Sequence, residues 1–555
     1  MRSLSKDAGA DTCYDVITTW LNNCSETHAA CQKAHLKVEK KLPTRVIEVN
    51  FGGEPRLIES DGKSGDWVAL SYCWGSSRHY TTTTKNLVEH YGRICISDLP
   101  NTVQDAVIIT RRLGYQYLWV DSLCIIQDSK EDWEIEALKM SKVYGDASLT
   151  LAAEAAEDSG IGIFASTNRN RHQIREYPLA VWTHFPKHNI EGRVNFRPAM
   201  KRLGQCKNPL SKRAWTLQEG LLSPRVLHFA EDQIYWRCLE EELVETSPEW
   251  YGRTERWEPS ATATRGLHRL IESEKFSLAI WYDIVDDFAQ RNLSYQKDRL
   301  VALSGVAKQA AKSMGLPPHS YKAGLWESDL YRGLLWSNQN SSSSRMCCVP
   351  QDEYVAPSWS WASISTTYMI QFGHTYIYGH LVNGARLIDE IADIQEVCTE
   401  TVNHEPFGLV QRGFMKIVGP CFKTCQCNIP NGFLDCHEEA LSFEESNEGL
   451  SYAEFGSDCP TAGIDEPKKR VLILRGSSGT EYLRRVYPEG LETNSTILLL
   501  QIATWQAVHH MARVWVLILR STGGLNEYRR IGCSWFNITD DRLRHDWTEK
   551  EITIV

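Results

Sequence analysis

The chain has 555 residues, too many for one hydrophobic core, so two or three domains are expected. Hydrophobic residues make up 42% and charged residues 23%, the balance of an ordinary folded protein. A formal net charge of −10, with no sustained lysine or arginine stripe, argues against a nucleic-acid partner.

The amino-terminal stretch MRSLSKDAGADTCYD is polar and lacks the apolar run of a secretory signal. The most apolar runs, Ile497 to Leu500 and Val514 to Leu519, fall far short of the roughly 20 residues that cross a bilayer. An intracellular, cytoplasmic protein with no membrane span is therefore expected, and most of its 17 cysteines read as small buried hydrophobes. Trp20, Cys24, His28 and Cys31 follow one another at four, four and three residues, which puts them on one helical face. Such a face is either packed around a satisfied histidine or, were a fourth ligand to arrive from elsewhere, a metal site. No paired CxxC accompanies it, so the packed face is preferred, and neither a metal nor a cofactor is assigned.

WVALSYC (67–73) is strand-like and runs into WGSSRHYTTTT, where Gly75 permits a sharp turn. Ser76, Ser77 and Arg78 could hold a phosphate or a sugar there, or form an ordinary polar loop. No GxGxxG or GxxxxGK[ST] supports a standard nucleotide cradle. LPNTVQDAVIITRRLG then places Val103, Ala106, Val107 and Leu113 at helical spacing and ends on Gly114. Tyr115 to Val120 is the next strand, and Asp121 and Ser122 at its end either bind a ligand hydroxyl or organise the turn. Cys124, among Leu123, Ile125 and Ile126, reads as an inert buried thiol.

A helix over 129–144 is announced by Ser129 with Asp132 three residues on. Its apolar stripe comprises Trp133, Ala137, Met140 and Tyr144, with Val143 at the edge, and Glu136 falls between Met140 and Val143. A carboxylate embedded there is either an active-site group or a stripe-edge side chain that reaches solvent or an arginine. A third strand at 148–152 completes a β-α-β-α-β order, which implies a parallel sheet with ligands beyond the carboxyl ends of its strands.

PLSKRAWTLQEGLLSPRVLHF reads as a capped helix and a strand, with QIYWRC as hairpin partner. Glu219 in that helix, one turn from Trp215, is either a catalytic group or, the easier account with Arg213 and Arg225 close in sequence, one half of an internal ion pair. A polar boundary spans 240–265, helical periodicity returns over 267–314, and a serine run at 341–344 marks a linker. Beyond Ala356 the chain is strand-rich, with an acidic loop near 438–466. Cys421, Cys425 and Cys427, with Cys436 and His437, give a weak zinc signal.

Several of these segments together resemble the fungal heterokaryon incompatibility (HET) domain. They are WVALSYCWG, the run from LPNTVQDAVIITRRLG through YLWVDSLCIIQDSKEDWEIEALKMSKVYGDASLTLAA, and RAWTLQEGLLSPRVLHF with IYWRC. The flanking WLNNCSETHAAC, LPTRVIEV, KDRLVALSGVA, YKAGLW and APSWSWAS are similar to the longer architecture in which that domain occurs. The resemblance implies an α/β fold whose parallel-sheet core is TIR-like or flavodoxin-like. Its divisions would be an N-terminal helical segment (1–45), the HET domain (46–240), a helical region (266–336) and a β-rich C-terminal region (355–555). It implies a role in non-self recognition and programmed cell death. A distant likeness to Toll/interleukin-1 receptor domains adds NAD+ as a substrate, with Glu136, three residues after Trp133, as the catalytic glutamate. Trp133, Asp121, Ser122, Trp74, Gly75, Ser76 and Ser77 would then hold the dinucleotide. The alternatives are a non-enzymatic module that signals by self-association or by binding another incompatibility protein, and an accessory role outside incompatibility.

Overall fold

The computed structural model describes residues 4–36, 40–49, 52–76, 80–169, 171, 175–181, 190–196, 208–246, 276–338, 349–350, 354–365, 370–372, 386–423, 456–457, 470–475, 481–487, 497–506, 513–537 and 547–555. The chain divides into two compact units. The first holds residues 1–276, 291–293 and 302–313; the second holds 277–290, 294–301 and 314–555.

The first unit opens with helices α1 (Asp11–Thr27) and α2 (Ala29–Leu36) and strands β1 (Arg45–Glu48) and β2 (Arg56–Glu59). An alternating core follows: β3 (Trp67–Ser71), α3 (Leu87–Gly92), α4 (Asn101–Arg112), β4 (Tyr117–Trp119), α5 (Asp121–Cys124), α6 (Lys130–Gly145) and β5 (Leu149–Ala152). Then come α7 (Ile163–Asn168), a hairpin of β6 (Arg175–Val181) and β7 (Ile190–Phe196), α8 (Trp215–Leu222), β8 (Arg225–Phe229), β9 (Ile234–Cys238) and β10 (Glu242–Val244).

Eight of these strands form one sheet in the order β10-β9-β8-β5-β3-β4-β1-β2. WVALS, LTLA, RVLHF and IYWRC are buried along their whole length, as expected of strands covered on both faces. The four central strands, β4, β3, β5 and β8, run parallel, with Val68 opposite both Leu118 and Leu149. The expected parallel sheet is therefore the centre of a mixed one, because β1–β2 and β8–β9–β10 add antiparallel pairs at the edges. Their connections are too short to return a strand in parallel.

Helix α6 starts where its cap predicts: the Ser129 hydroxyl accepts the Asp132 amide at 3.2 Å. Its face is fixed by Trp67 Nε1 donating to the Val143 carbonyl (3.0 Å), by the Tyr144 hydroxyl donating to the Leu70 carbonyl (3.0 Å), and by the burial of Ala137, Met140, Val143 and Tyr144.

In the second unit, strands Val410–Lys423, Ile497–Gln506, Arg513–Ser521, Glu527–Asn537 and Thr548–Ile554 close into a barrel. Closure comes from Val410–Lys423 pairing with both Ile497–Gln506 and Thr548–Ile554. Closing the ring leaves no free edge between these five strands. Elsewhere in this unit the indoles of Trp281 and Trp361 both donate to the Gly324 carbonyl, at 3.2 and 3.1 Å. No helix among the described residues is long and apolar enough to cross a membrane. Arg78, the serine run at 341–344, most of the 240–265 boundary and of the 438–466 loop, and Cys425, Cys427, Cys436 and His437 lie outside the described residues.

Candidate functional site

The chain leaves β3 toward β4 on one side and leaves β5 toward β8 on the other, so the connections after two adjacent parallel strands diverge. A crevice opens at the carboxyl ends of strands at such a point. Residues that follow β3, β4 and β5 therefore form the first place to look for chemistry.

Asp121, the first residue after β4 and its flanking Val120, is partly exposed there. Its Oδ2 accepts the Trp74 indole N–H at 2.9 Å and its Oδ1 accepts the Ser122 amide at 2.7 Å. The buried Tyr72 hydroxyl lies beside Asp121 and Ser122. Burial raises the Asp121 carboxyl above its ordinary range, and Arg213 and Trp74 pull against that rise. Arg213 reaches in from the segment before α8 and donates to the Tyr72 carbonyl. Burial works against its charge, but Glu219 and Asp121 outweigh that and hold its pKa above the ordinary value.

Beneath this group sits Glu219, in α8, 6% exposed. Its Oε2 accepts the Ser71 hydroxyl at the end of β3, and the Tyr144 hydroxyl lies beside it. Burial pushes its carboxyl up to about 7 despite Arg213 and Ser71. A carboxylic acid that titrates near neutrality, beside a second carboxylate and a shared guanidinium, is the arrangement from which acid–base chemistry is built. Just after β5, Glu154 Oε1 meets His228 Nδ1 of β8 at 2.8 Å.

Residues 67–219 match the family model for Heterokaryon incompatibility protein (HET). The chain carries a HET domain. No curated relative and no solved structure matches the chain. The matched HET span opens on the first residue of β3 and closes on Glu219, so it contains the whole Ser71–Tyr72–Asp121–Arg213–Glu219 group.

Within the HET domain the residues singled out from sequence fall into separate groups. Trp74, Asp121 and Ser122 come together as described. Gly75 and Ser76 lie on the neighbouring turn, where the Ser76 amide donates to Asp158 Oδ2 at 2.7 Å, and Ser77 lies outside the described residues. Trp133 is half-buried and meets Trp215 edge-on, with ring centroids 6.5 Å apart. Glu136 is 3% exposed; its Oε1 accepts from Lys139 Nζ at 2.9 Å, and that ammonium also donates to Thr44 Oγ1 at 2.8 Å. Beside it Arg45 bridges Asp132 and the Cys124 carbonyl. The hydrogen bonds of Glu136 thus run toward the start of β1, and those of Asp121 toward Trp74. Burial pushes the Cys124 thiol up to about 12, which keeps it protonated.

Arg213, Tyr72, Ser71 and Tyr144 were not legible as site residues, since no local spacing links them. Of the two arginines near Glu219 in sequence, Arg213 acts on it, whereas the charge of Arg225 acts on Cys24, Lys40 and Tyr115.

Gly75 lies in the turn after β3 at φ +73°, and a Cβ there would come within 2.2 Å of Asp158 Oδ2 and 2.6 Å of its Cα. Gly62, at φ +74°, has open space around it. Gly75→Ala is expected to destabilise the chain by about 2–4 kcal/mol and Gly62→Ala by only about 1 kcal/mol. Thermal unfolding of the two variants checks this, and equal losses would mean that only the backbone conformation matters.

Proposed function

We propose that this HET domain acts in heterokaryon incompatibility as a cell-death effector that hydrolyses the N-glycosidic bond of NAD+ in the crevice beyond β3, β4 and β5. The observation that supports this reading is the convergence of Asp121, Arg213 and Glu219 at the point where the sheet's connections diverge. Function is argued from this site and not from the fold, since one fold hosts many activities.

In such a reaction the C1′–N bond breaks, nicotinamide departs with the bonding pair as a neutral base, and water supplies the oxygen that joins C1′. Positive charge develops on the ribose, and Asp121, partly exposed and fixed by Trp74, stands where a carboxylate would stabilise it. Glu219, near its midpoint at neutral pH, is suited to take the proton released by the attacking water. Arg213 keeps two neighbouring carboxyls from both becoming neutral, and it offers a cation to a diphosphate.

The test is NAD+ consumption and nicotinamide release by the purified chain, at concentrations high enough for self-association. Asp121→Asn and Glu219→Gln are expected to slow turnover by about 100-fold or more. Glu136→Gln runs beside them, because the TIR resemblance assigns the catalytic role to that glutamate. Loss in Glu136→Gln alone would move the reaction to the α6 face. Full turnover in a folded Asp121→Asn protein would remove the crevice from the chemistry. No turnover in the wild type would favour a module that works by self-association or by binding another incompatibility protein.

A further inference from the structure

The four residues Cys24, His28, Cys31 and Cys238 gather at one point of the first unit, away from the crevice. Each offers one ligand atom, and those atoms all lie within 4.8 Å of one another. Sequence spacing places Trp20, Cys24, His28 and Cys31 on one helical face, but the structure breaks that helix. Helix α1 ends at Thr27, His28 is extended (φ −92°, ψ 104°), and α2 begins at Ala29. The break separates the roles: Trp20 packs on Trp236, with centroids 6.4 Å apart, while the other three turn toward Cys238 at the end of β9.

We infer that these four side chains form a structural zinc site of the Cys3His type, a staple between the α1–α2 corner and the β9–β10 hairpin. Around a tetrahedral zinc with metal–sulfur bonds of about 2.3 Å, ligand atoms are about 3.8 Å apart, so small side-chain rotations close the set. His28 Nδ1 already lies 3.3 Å from Cys238 Sγ, and its Nε2 lies 3.5 Å from Glu241 Oε2. That is the orientation of a metal-bound imidazole whose far N–H is held by a carboxylate. The Glu241 amide donates to Cys238 Sγ at 3.3 Å, and backbone hydrogen bonds at Leu239 and Glu240 serve Cys31 and Cys238. Amides aimed at sulfur favour the thiolate form.

Burial is nearly complete: Cys24 is 0%, Cys31 2% and Cys238 5% exposed. A divalent cation would replace the three thiol protons, and the nearby charge of Arg225 would offset the single negative charge left over. A disulfide between any two cysteines would use neither the third thiol nor the imidazole with its carboxylate. Four soft and borderline ligands, three of them buried and His28 partly so, make a closed set with no open position that fits a structural zinc and not a catalytic one.

The untagged full-length chain, purified under reducing conditions, is expected to carry one zinc per chain by elemental analysis. Cys238→Ser should lose it, whereas Cys95→Ser, a cysteine elsewhere in the same unit, should keep it. Because the ligand variants can unfold, the chelator-stripped, reduced wild type is also titrated with Co(II) alone. Sulfur-to-cobalt charge transfer and the intense visible bands of a tetrahedral thiolate site are expected at one equivalent. A wild type that neither retains zinc nor gives the cobalt spectrum overturns the site. So does a Cys238→Ser chain that keeps its zinc, or a native mass lighter by two hydrogens from a Cys24, Cys31 or Cys238 disulfide.

Discussion

Replacing Glu219 by glutamine is expected to flatten the loss of stability that the wild-type chain shows as pH rises from about 5 to about 8. The folded-state carboxyl sits at about 7, against an ordinary value of 4.5. Between those values the native state binds the proton and the unfolded state has released it, so stability falls with rising pH until the folded group also ionises. The contribution is fully present below about 4.5 and lost above about 7, and its full size is about 3 kcal/mol. Glutamine keeps an acceptor for the Ser71 hydroxyl and removes the titration. Asp121, also raised, and His228, which burial lowers, titrate in both proteins, so the difference between the two curves reports Glu219 together with its coupling to Asp121. Scanning calorimetry at pH 5, 6, 7 and 8 reads it out. Wild-type and variant midpoints that stay parallel across this range would show that Glu219 is ionised throughout, and the proton-accepting role near neutrality would go with it.

The order of the HET core is legible in the sequence because its signals are local. WVALS and SLTLA announce buried strands, and Ser129 with Asp132 fixes the start of α6, all within a few residues. Glu136 is likewise legible as a carboxylate on the sheet-facing side of its helix, and it is buried there. What stayed hidden depends on partners far away in the chain. Glu219 meets Ser71 across 148 residues, and His28 meets Cys238 across 210. Periodicity shows that a residue faces inward but cannot show what it meets there. The β8–β9 hairpin was legible from its adjacent segments, but the antiparallel edge at β1 escaped for a related reason: β1 pairs with β4 across residues 49 to 116, a choice that local sequence does not record. The amino-terminal stripe shows how far spacing reaches. It singled out three of the four converging residues while favouring a packed face, and only the return of β9 to the α1–α2 corner supplied Cys238.

Arg171→Met is expected to destabilise the first unit by about 3–5 kcal/mol, more than most single substitutions in the chain. The Arg171 side chain is 0% exposed and that of Glu245 5%. The guanidinium grips the carboxylate with both nitrogens, at 2.9 and 2.6 Å, while its Nε donates to the Ser5 carbonyl at 2.8 Å. Glu245 Oε2 also accepts the Ile234 amide at 3.1 Å, and the Cys13 thiol, pushed up to about 12 by burial and by Glu245, donates to Oε1 at 3.3 Å. Removing the arginine leaves a buried carboxylate with one amide and one thiol, too little to replace the water it lost on folding. The net value of the intact pair is a separate quantity, because both ions were desolvated to form it. Arg171→Met combined with Glu245→Leu, which removes both charges and keeps apolar volume, is therefore expected to cost clearly less than either the single arginine or the single glutamate substitution. A double-mutant cycle on the unfolding midpoints of the first unit measures this coupling. Additive losses in the cycle would mean that Ser5, Ile234 and Cys13, and not the opposite charge, hold each member in place.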